Sequence, residues 1–365
     1  MKMIMDTRYR KVLWMALLLI SVHSARAQEK VYKTIEKSFP FTNSGEFQLE
    51  NKYGNITLKG WDQNKVLVNI SVTVNHRKKE NAEDLLERIN PKIKTSNGYI
   101  SIVSEIANKN TGWFADILNK ANPIDFDRSH VQIDYEVYLP VKAGLKITNR
   151  FGDVVIENCM GTLNTLIEHG DLWIGENLNK ADIVLRYGKV RAKDLNYADI
   201  DLKIGELNME NSKNLRLRSD GTEIHINLVN SLEVYSNKDH IAINEAGSLF
   251  GNLEFTTFKL ERLTGDVDLN MKIADFQVFA ITNPSAAIGI QQESADITLT
   301  VTNFSHRFTA TLEQGVVRLP KSFENVSSEM LDKGRRLRKI DATYGKERKG
   351  SISIQGEKGI VTINN

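Results

Sequence analysis

The chain has 365 residues, of which 48 are Lys or Arg and 46 are Asp or Glu, for a formal net charge of +2. So even a balance excludes the basic excess that nucleic acid or an anionic membrane surface requires of a partner. Cys159 is the single cysteine, so no internal disulfide is possible, and stability has to come from burial and hydrogen bonding.

Residues 1–27 read as a secretory signal peptide. Lys2, Arg8, Arg10 and Lys11 form a basic front, "VLWMALLLISV" is an apolar run, and Ala25-Arg26-Ala27 fits the small-residue cleavage rule, placing cleavage before Gln28. The apolar run is far shorter than the ~20 residues of a spanning helix. Without this segment the basic and acidic counts become 43 and 45, a net charge of −2. No later stretch is long and apolar enough to span a bilayer. The expectation is therefore an exported protein without an integral membrane span, destined for the periplasm, cell surface or extracellular space.

Residues 28–140 are expected to form a strand-rich cap. "GEFQLENKYGNITLKGW" alternates Phe47, Leu49, Ile56 and Leu58, and "KVLVNISVTV" alternates Val66, Val68, Ile70, Val72 and Val74, the pattern of half-buried strands. One helix is expected over 82–90, with Asn81 as N-cap, Leu85, Leu86 and Ile89 as its apolar face and Pro91 as terminator. "PKIKTSNGYISIV" reads as a hairpin with a type I′ turn at Asn97-Gly98. Residues 105–128 lack strand alternation and read as a loop carrying Trp113 and Phe114, a candidate binding patch.

From residue 141 to 365 the chain repeats. "LKITNRFGDVVIENC", "TLIEHGDLWIGEN", "IVLRYGKVRAKDL", "IDLKIGELNMEN" and "LRLRSDGTEIHIN" place Gly152, Gly170, Gly188, Gly205 and Gly221 at intervals of 18, 18, 17 and 16. Each unit alternates apolar residues on both sides of the glycine, as in Ile183 and Leu185 before it and Val190 and Ala192 after it. That is two short strands joined by a bend, and the predicted fold is an all-β β-solenoid with rungs of about 17–18 residues. A single rung cannot stand alone. Ordering its backbone costs roughly 1–2 kcal/mol per residue, whereas burying its half-dozen apolar side chains contributes about 1.5–3 kcal/mol each. Repetition lets neighbouring rungs share one apolar column. Beyond Leu249 the spacing stretches, "KSFENVSSEMLDKGRRLRKID" reads as a charged excursion, and the last two strands are expected to close the core.

The front "LENKYGNITLKGW", the bridging "VQIDYEVYLP", "LKITNRFGDVVIENC" and the Tyr-Gly rungs "RYGKV" and "ATYGK" together resemble the exported "putative adhesin" family of bacteria, over about residue 35 to the end. That resemblance implies a β-solenoid fold and export, and it brings no catalytic residues with it. "SDG" and "SNKD" depart from the family's Tyr-Gly pattern.

No assembled chemistry is legible. His76, His130, His169, His225, His240 and His306 form no HExxH or paired-ligand spacing, and GxSxG, Walker and dinucleotide motifs do not occur. No catalytic, cofactor-binding or metal-ligating residue is assigned, and no cofactor is expected. Cys159 reads as a buried small hydrophobe. One outward column, Arg186, Lys203 and Arg218, is a candidate binding surface beside Trp113 and Phe114. A second column includes Glu206 and Glu223, and a polysaccharide-cleaving site would need those carboxyls in one groove with Arg186 and Arg218. The reading favoured is a non-enzymatic adhesin-like or scaffolding protein whose partner is an envelope protein or a glycan. The alternatives are a polysaccharide lyase or hydrolase and an envelope sensor partner, and the oligomeric state stays open.

Overall fold

The computed structural model describes residues 29–106 and 131–365. The expected signal segment and loop residues 107–128, with Trp113 and Phe114, lie outside the described residues. Within them the chain is nearly all β with one helix, and the strands form one large sheet that does not close into a barrel.

The alternation in the sequence is an alternation of burial. Ile183, Leu185, Val190 and Ala192 are buried, as are Leu207, Met209, Ile224 and Ile226 in the units that follow. Pairing explains why alternation recurs at a fixed distance. Leu163 lies opposite Ala181 and Leu172 opposite Val190, both 18 residues apart in parallel ladders. Ile224 faces Ile241 at 17, Leu249 faces Val267 at 18, and Val267 faces Ile288 at 21. Parallel pairing at the repeat distance stacks like on like, so apolar positions form columns that run through the interior.

The glycines have a steric reason. A Cβ on Gly152, Gly170, Gly188 or Gly205 would lie 2.2, 2.0, 2.0 or 2.1 Å from the carbonyl oxygen of Gly54, Gly152, Gly170 or Gly188 respectively. Gly221 does a different job. With φ +66 it takes the left-handed position that Tyr187 (φ 61) and Ile204 (φ 52) hold one residue before their glycines, so Thr222 occupies the bend. The spacing of 16 in the sequence is thus a shift of glycine by one place, and the structural period stays at 17. Bulky residues one place before the bend glycine meet in a stack, and of these His169 (φ 55) and Tyr187 (φ 61) are left-handed. Tyr53, Phe151, His169 and Tyr187 follow one another with ring centroids 5.7, 5.3 and 4.8 Å apart, contacts that help offset the backbone strain.

Both ends depart from simple chain order. Glu46–Tyr53 lies between Tyr99–Val103 and Gly144–Phe151, parallel to both, and Ile56–Trp61 lies between Val131–Pro140 and Val154–Glu157. Parallel pairing therefore crosses the expected border at 140/141. Lys65–His76 pairs antiparallel with Glu29–Pro40 on one edge and Val131–Pro140 on the other, which buries Val66, Val68, Ile70, Val72 and Val74 completely.

The helix spans Lys79–Arg88 and packs on Lys65–His76 and Glu29–Pro40 through buried Ala82 and Leu85. It begins before the expected residue 82, with Lys78 rather than Asn81 at the N-cap, and ends before Ile89 as Asn90 Nδ2 donates to Glu87 O at 2.7 Å. The hairpin of Lys92–Ser96 with Tyr99–Val103 forms as expected, but only Gly98 of its turn has positive φ, so the turn is not type I′.

At the other end the final strands do not close the core. Gly350–Glu357 inserts between Ala287–Glu293 and His306–Glu313, and Ile360–Asn364 between Asp296–Thr300 and Val316–Arg318. Their apolar residues need partners on both edges, which an end position would deny them. The supposed charged excursion supplies the outer layer instead, as the antiparallel hairpin Glu324–Asp332 with Leu337–Tyr344 docked on His306–Glu313.

An aromatic cluster fills this end. His306 is fully buried beside Phe304, Phe323 and Tyr344, at centroid distances of 4.9, 5.5 and 5.7 Å. Its Nδ1–H donates to Phe304 O at 2.7 Å, and Nε2 is buried without a partner. Burial holds the imidazole pKa below its ordinary value. A depressed base is protonated in the unfolded chain first, so stability is expected to fall as pH drops below about 6.5, by up to about 1.4 kcal/mol per pH unit. Urea unfolding between pH 8 and pH 5 checks this, and His306→Leu is expected to flatten that part of the profile.

Candidate functional site

Alternate residues on the strands after the bend point outward and stack in columns. Trp173 pairs in register with Val155 and Arg191, and His225 with Ala242. At the same position after the bend, three residues past Gly170, Gly188, Gly205 and Thr222, stand Trp173, Arg191, Asn208 and His225. These four line a concavity of about 620 Å³, bordered on the far side by Lys193, Glu210, Asn227 and Asn244.

Trp173 is 47% exposed, so part of its ring faces the concavity's solvent. The Arg191 guanidinium lies 4.9 Å from its ring centroid. Arg191 makes no ion pair among the described residues, so its charge is met by the Trp173 π-face, by solvent and, at longer range, by the Glu206 carboxylate. The neighbours are more committed. Lys189 Nζ bonds Glu206 Oε2 at 2.7 Å, Asn208 Nδ2 donates to Glu206, and these two bonds, the lysine's first, hold the Glu206 carboxyl below its usual pKa. His225 Nε2 lies 3.0 Å from Glu223 Oε1. Asn244 Nδ2 donates to Asn227 Oδ1 at 3.0 Å, and Asn227 Nδ2 to Asn211 Oδ1 at 3.3 Å, an amide row along the rim.

The wall therefore offers an aromatic platform, an unpaired planar cation and side-chain amides. That combination can stack on the apolar face of a ring, grip a carboxylate bidentately and hydrogen-bond hydroxyls. The parallel ladder beneath holds these groups at fixed spacing.

Of the residues singled out from the sequence, Arg186, Lys203 and Arg218 lie elsewhere. Arg186 Nη1 bonds Asp201 Oδ1 at 2.8 Å and Arg218 Nη2 bonds Asp199, both on strands before the bend. Because the glycine shift moves the register, Arg218 does not continue the column of Arg186 and Lys203, and Asp220 stands there instead. Arg186 and Arg218 stand before the bend and Glu206 and Glu223 after it, and none of the four lines the concavity. Cys159 is buried, donates to Glu157 O at 3.4 Å and has its thiol pKa pushed up to about 12 by burial, as its reading as a small hydrophobe expects. The signal for the actual column was Trp173 and Arg191 three places past successive glycines. It passed unread because the next members, Asn208 and His225, differ in chemistry.

No family model matches the sequence, and no curated protein matches it. Among solved structures the chain is similar to a "putative adhesin" from Parabacteroides distasonis at 11% identity, covering 73% of this chain and 92% of the other with TM-score 0.34. It is similar to a "putative cell adhesion protein" from Clostridium sporogenes at 12% identity, covering 91% and 98% with TM-score 0.20. A third likeness is to a "putative lipid binding protein" from Parabacteroides distasonis at 10% identity, covering 73% and 92% with TM-score 0.28. At these identities and TM-scores the function of this chain is read from its own residues.

Proposed function

We propose that the chain is an exported β-solenoid that binds an acidic glycan at the cell envelope and performs no chemistry on it. The signal-like front, the 17–18-residue period and the parallel register support export and the solenoid. The observation that carries the function is the half-exposed Trp173 stacked on Arg191, whose guanidinium makes no ion pair among the described residues. In this reading Trp173 covers the apolar face of a sugar ring, Arg191 takes the sugar carboxylate, and Asn208 with the rim amides meets hydroxyls. Adhesion, envelope scaffolding and presentation of a glycan to a sensor are uses of the same surface. Separation of Glu206 and Glu223 from Arg186 and Arg218 counts against the polysaccharide-cleaving alternative.

Calorimetry with oligogalacturonate and with cellohexaose checks this. Trp173→Ala is expected to weaken oligogalacturonate binding by about tenfold or more, a loss of about 1.4 kcal/mol. Arg191→Gln is expected to remove the preference for the charged ligand. Equal binding by parent and both variants would contradict the assignment.

A further inference from the structure

We infer that a second surface, on the strands before the bend toward the C-terminal end, binds a neutral polyhydroxylated chain along a ladder of amides. Asn252 stands opposite Asn270, Asn270 opposite Gln291, and Gln291 opposite Gln355, so four successive strands present an amide in one column. Strand spacing of about 4.8 Å makes the row about 14 Å long. This site is separate from the Trp173 concavity and does not rest on that reading.

Three observations point to a ligand. First, the ladder is only partly spent on itself. Asn270 Nδ2 donates to Asn252 Oδ1 at 3.2 Å, whereas among the described residues no side-chain hydrogen bond engages Gln291 or Gln355. Each primary amide brings two donors and two acceptor lone pairs, a pattern matched by vicinal hydroxyls and indifferent to charge. Second, exposed strands that need only solubility are dressed with charge, as the adjoining column of Glu254, Lys272, Glu293 and Glu357 is. The amide column is uncharged over the same four strands.

Third, the surface beside the ladder is cut away. The column on its other side runs Phe250, Asp268, Gly289, Ser353, and its small members leave a trough of about 470 Å³. Phe250, 41% exposed, stands at one end as an apolar platform. A second hollow of about 570 Å³ lies on the charged side. A ridge of amides between two hollows fits a linear neutral glycan lying across the strands, with one amide per strand to meet its hydroxyls and Phe250 to meet a ring face.

The test is calorimetry of the full chain with cellohexaose, laminarihexaose, xylohexaose and mannohexaose, and with the matching dimers. At least one hexasaccharide is expected to bind, and at least about tenfold tighter than its dimer, because only the longer chain spans the row. Gln291→Leu with Gln355→Leu is expected to reduce that binding by at least about tenfold while oligogalacturonate binding is unchanged. If the leucine pair fails to fold, Gln291→Glu with Gln355→Glu keeps the shape, removes the donors and is expected to show the same loss. No saturable binding of any of the four hexasaccharides, or binding that survives the double variant, would overturn the assignment. Loss of oligogalacturonate binding in Trp173→Ala with neutral binding intact separates the two sites.

Discussion

A chain ended at Lys349 is expected to lose the C-terminal part of its sheet, although only the last 16 residues are gone. Gly350–Glu357 and Ile360–Asn364 are hydrogen-bonded on both edges, so their removal separates Ala287–Thr300 from His306–Arg318. Ile352, Ile354, Val361 and Ile363 are buried, and without them Ile288, Ile290, Ile297 and Leu299 on one side and Phe308 and Ala310 on the other face solvent. Four such side chains contribute about 6–12 kcal/mol by burial. That rivals the whole stability of a typical domain, about 5–15 kcal/mol. Because each layer contacts chiefly its neighbours, the damage should stay local. Limited proteolysis is expected to digest the shortened chain beyond about residue 280 while a fragment from the N-terminal side persists. Adding a peptide of residues 350–365 is expected to restore protection. An unchanged digestion pattern would show that the inserted strands do not hold the end together.

The second large effect is expected at Asp239, in the bend position that glycine fills in earlier units. Its carboxylate is buried, with the residue 1% exposed. Oδ1 accepts from the Thr222 backbone N at 2.6 Å and from Thr222 Oγ1 at 2.8 Å, and Oδ2 accepts from Ser219 Oγ at 2.6 Å and Ser236 Oγ at 2.5 Å. Thr256 joins the cluster through Ser236 at 2.7 Å. Thr222, Asp239 and Thr256 thus replace close glycine packing with side-chain hydrogen bonds over three consecutive layers. Asp239→Ala leaves these donors buried and unmatched, and a cost of about 3–5 kcal/mol is expected. Asp239→Asn keeps a carbonyl oxygen for the Thr222 N–H, and the Ser hydroxyls can turn to accept, so its cost is expected to be smaller. Urea unfolding of both variants checks this. An alanine variant within about 1 kcal/mol of the parent would show that the cluster is not a structural crosslink.

Much of this architecture was legible because β alternation and a fixed repeat are written locally. Ile183, Leu185, Val190 and Ala192 could be assigned inward from their spacing alone, and the pairing of Glu223 with His240 and of His225 with Ala242 followed from the repeat. Layer order at the two ends was not legible. Nothing local in Gly350–Asn364 distinguishes a strand that closes a stack from one that enters between two earlier strands, since both need apolar alternation. The hairpin Glu324–Asp332 with Leu337–Tyr344 was hidden for the opposite reason. All nine residues of Glu324–Asp332 are exposed, so it carries little burial pattern to read.

The candidate surface was overlooked because a column of Trp, Arg, Asn and His matches no catalytic or metal motif, and one residue misplaced the column before the bend. Aligning on Gly221 instead of Thr222 shifted the register before the bend by one and placed Arg218 in a column it does not share, whereas after the bend the register, and with it the series Trp173, Arg191, Asn208, His225, was kept. A glycine marks the bend only where a carbonyl approaches closely, as at Gly205. Where φ alone demands it, as at Gly221, it marks the residue before. The helix start was misread in a related way, because Asn81 has cap chemistry but Lys78 has the extended backbone of a cap.

The central claim is that the Trp173 surface holds an acidic glycan without altering it. The most direct test is to incubate oligogalacturonate with the chain, record binding for the parent and Trp173→Ala, and determine the length of the recovered sugar by mass spectrometry. The account predicts binding that is lost in the variant and a sugar recovered at its original length. Shortened or unsaturated products, or binding indifferent to Trp173, would contradict it.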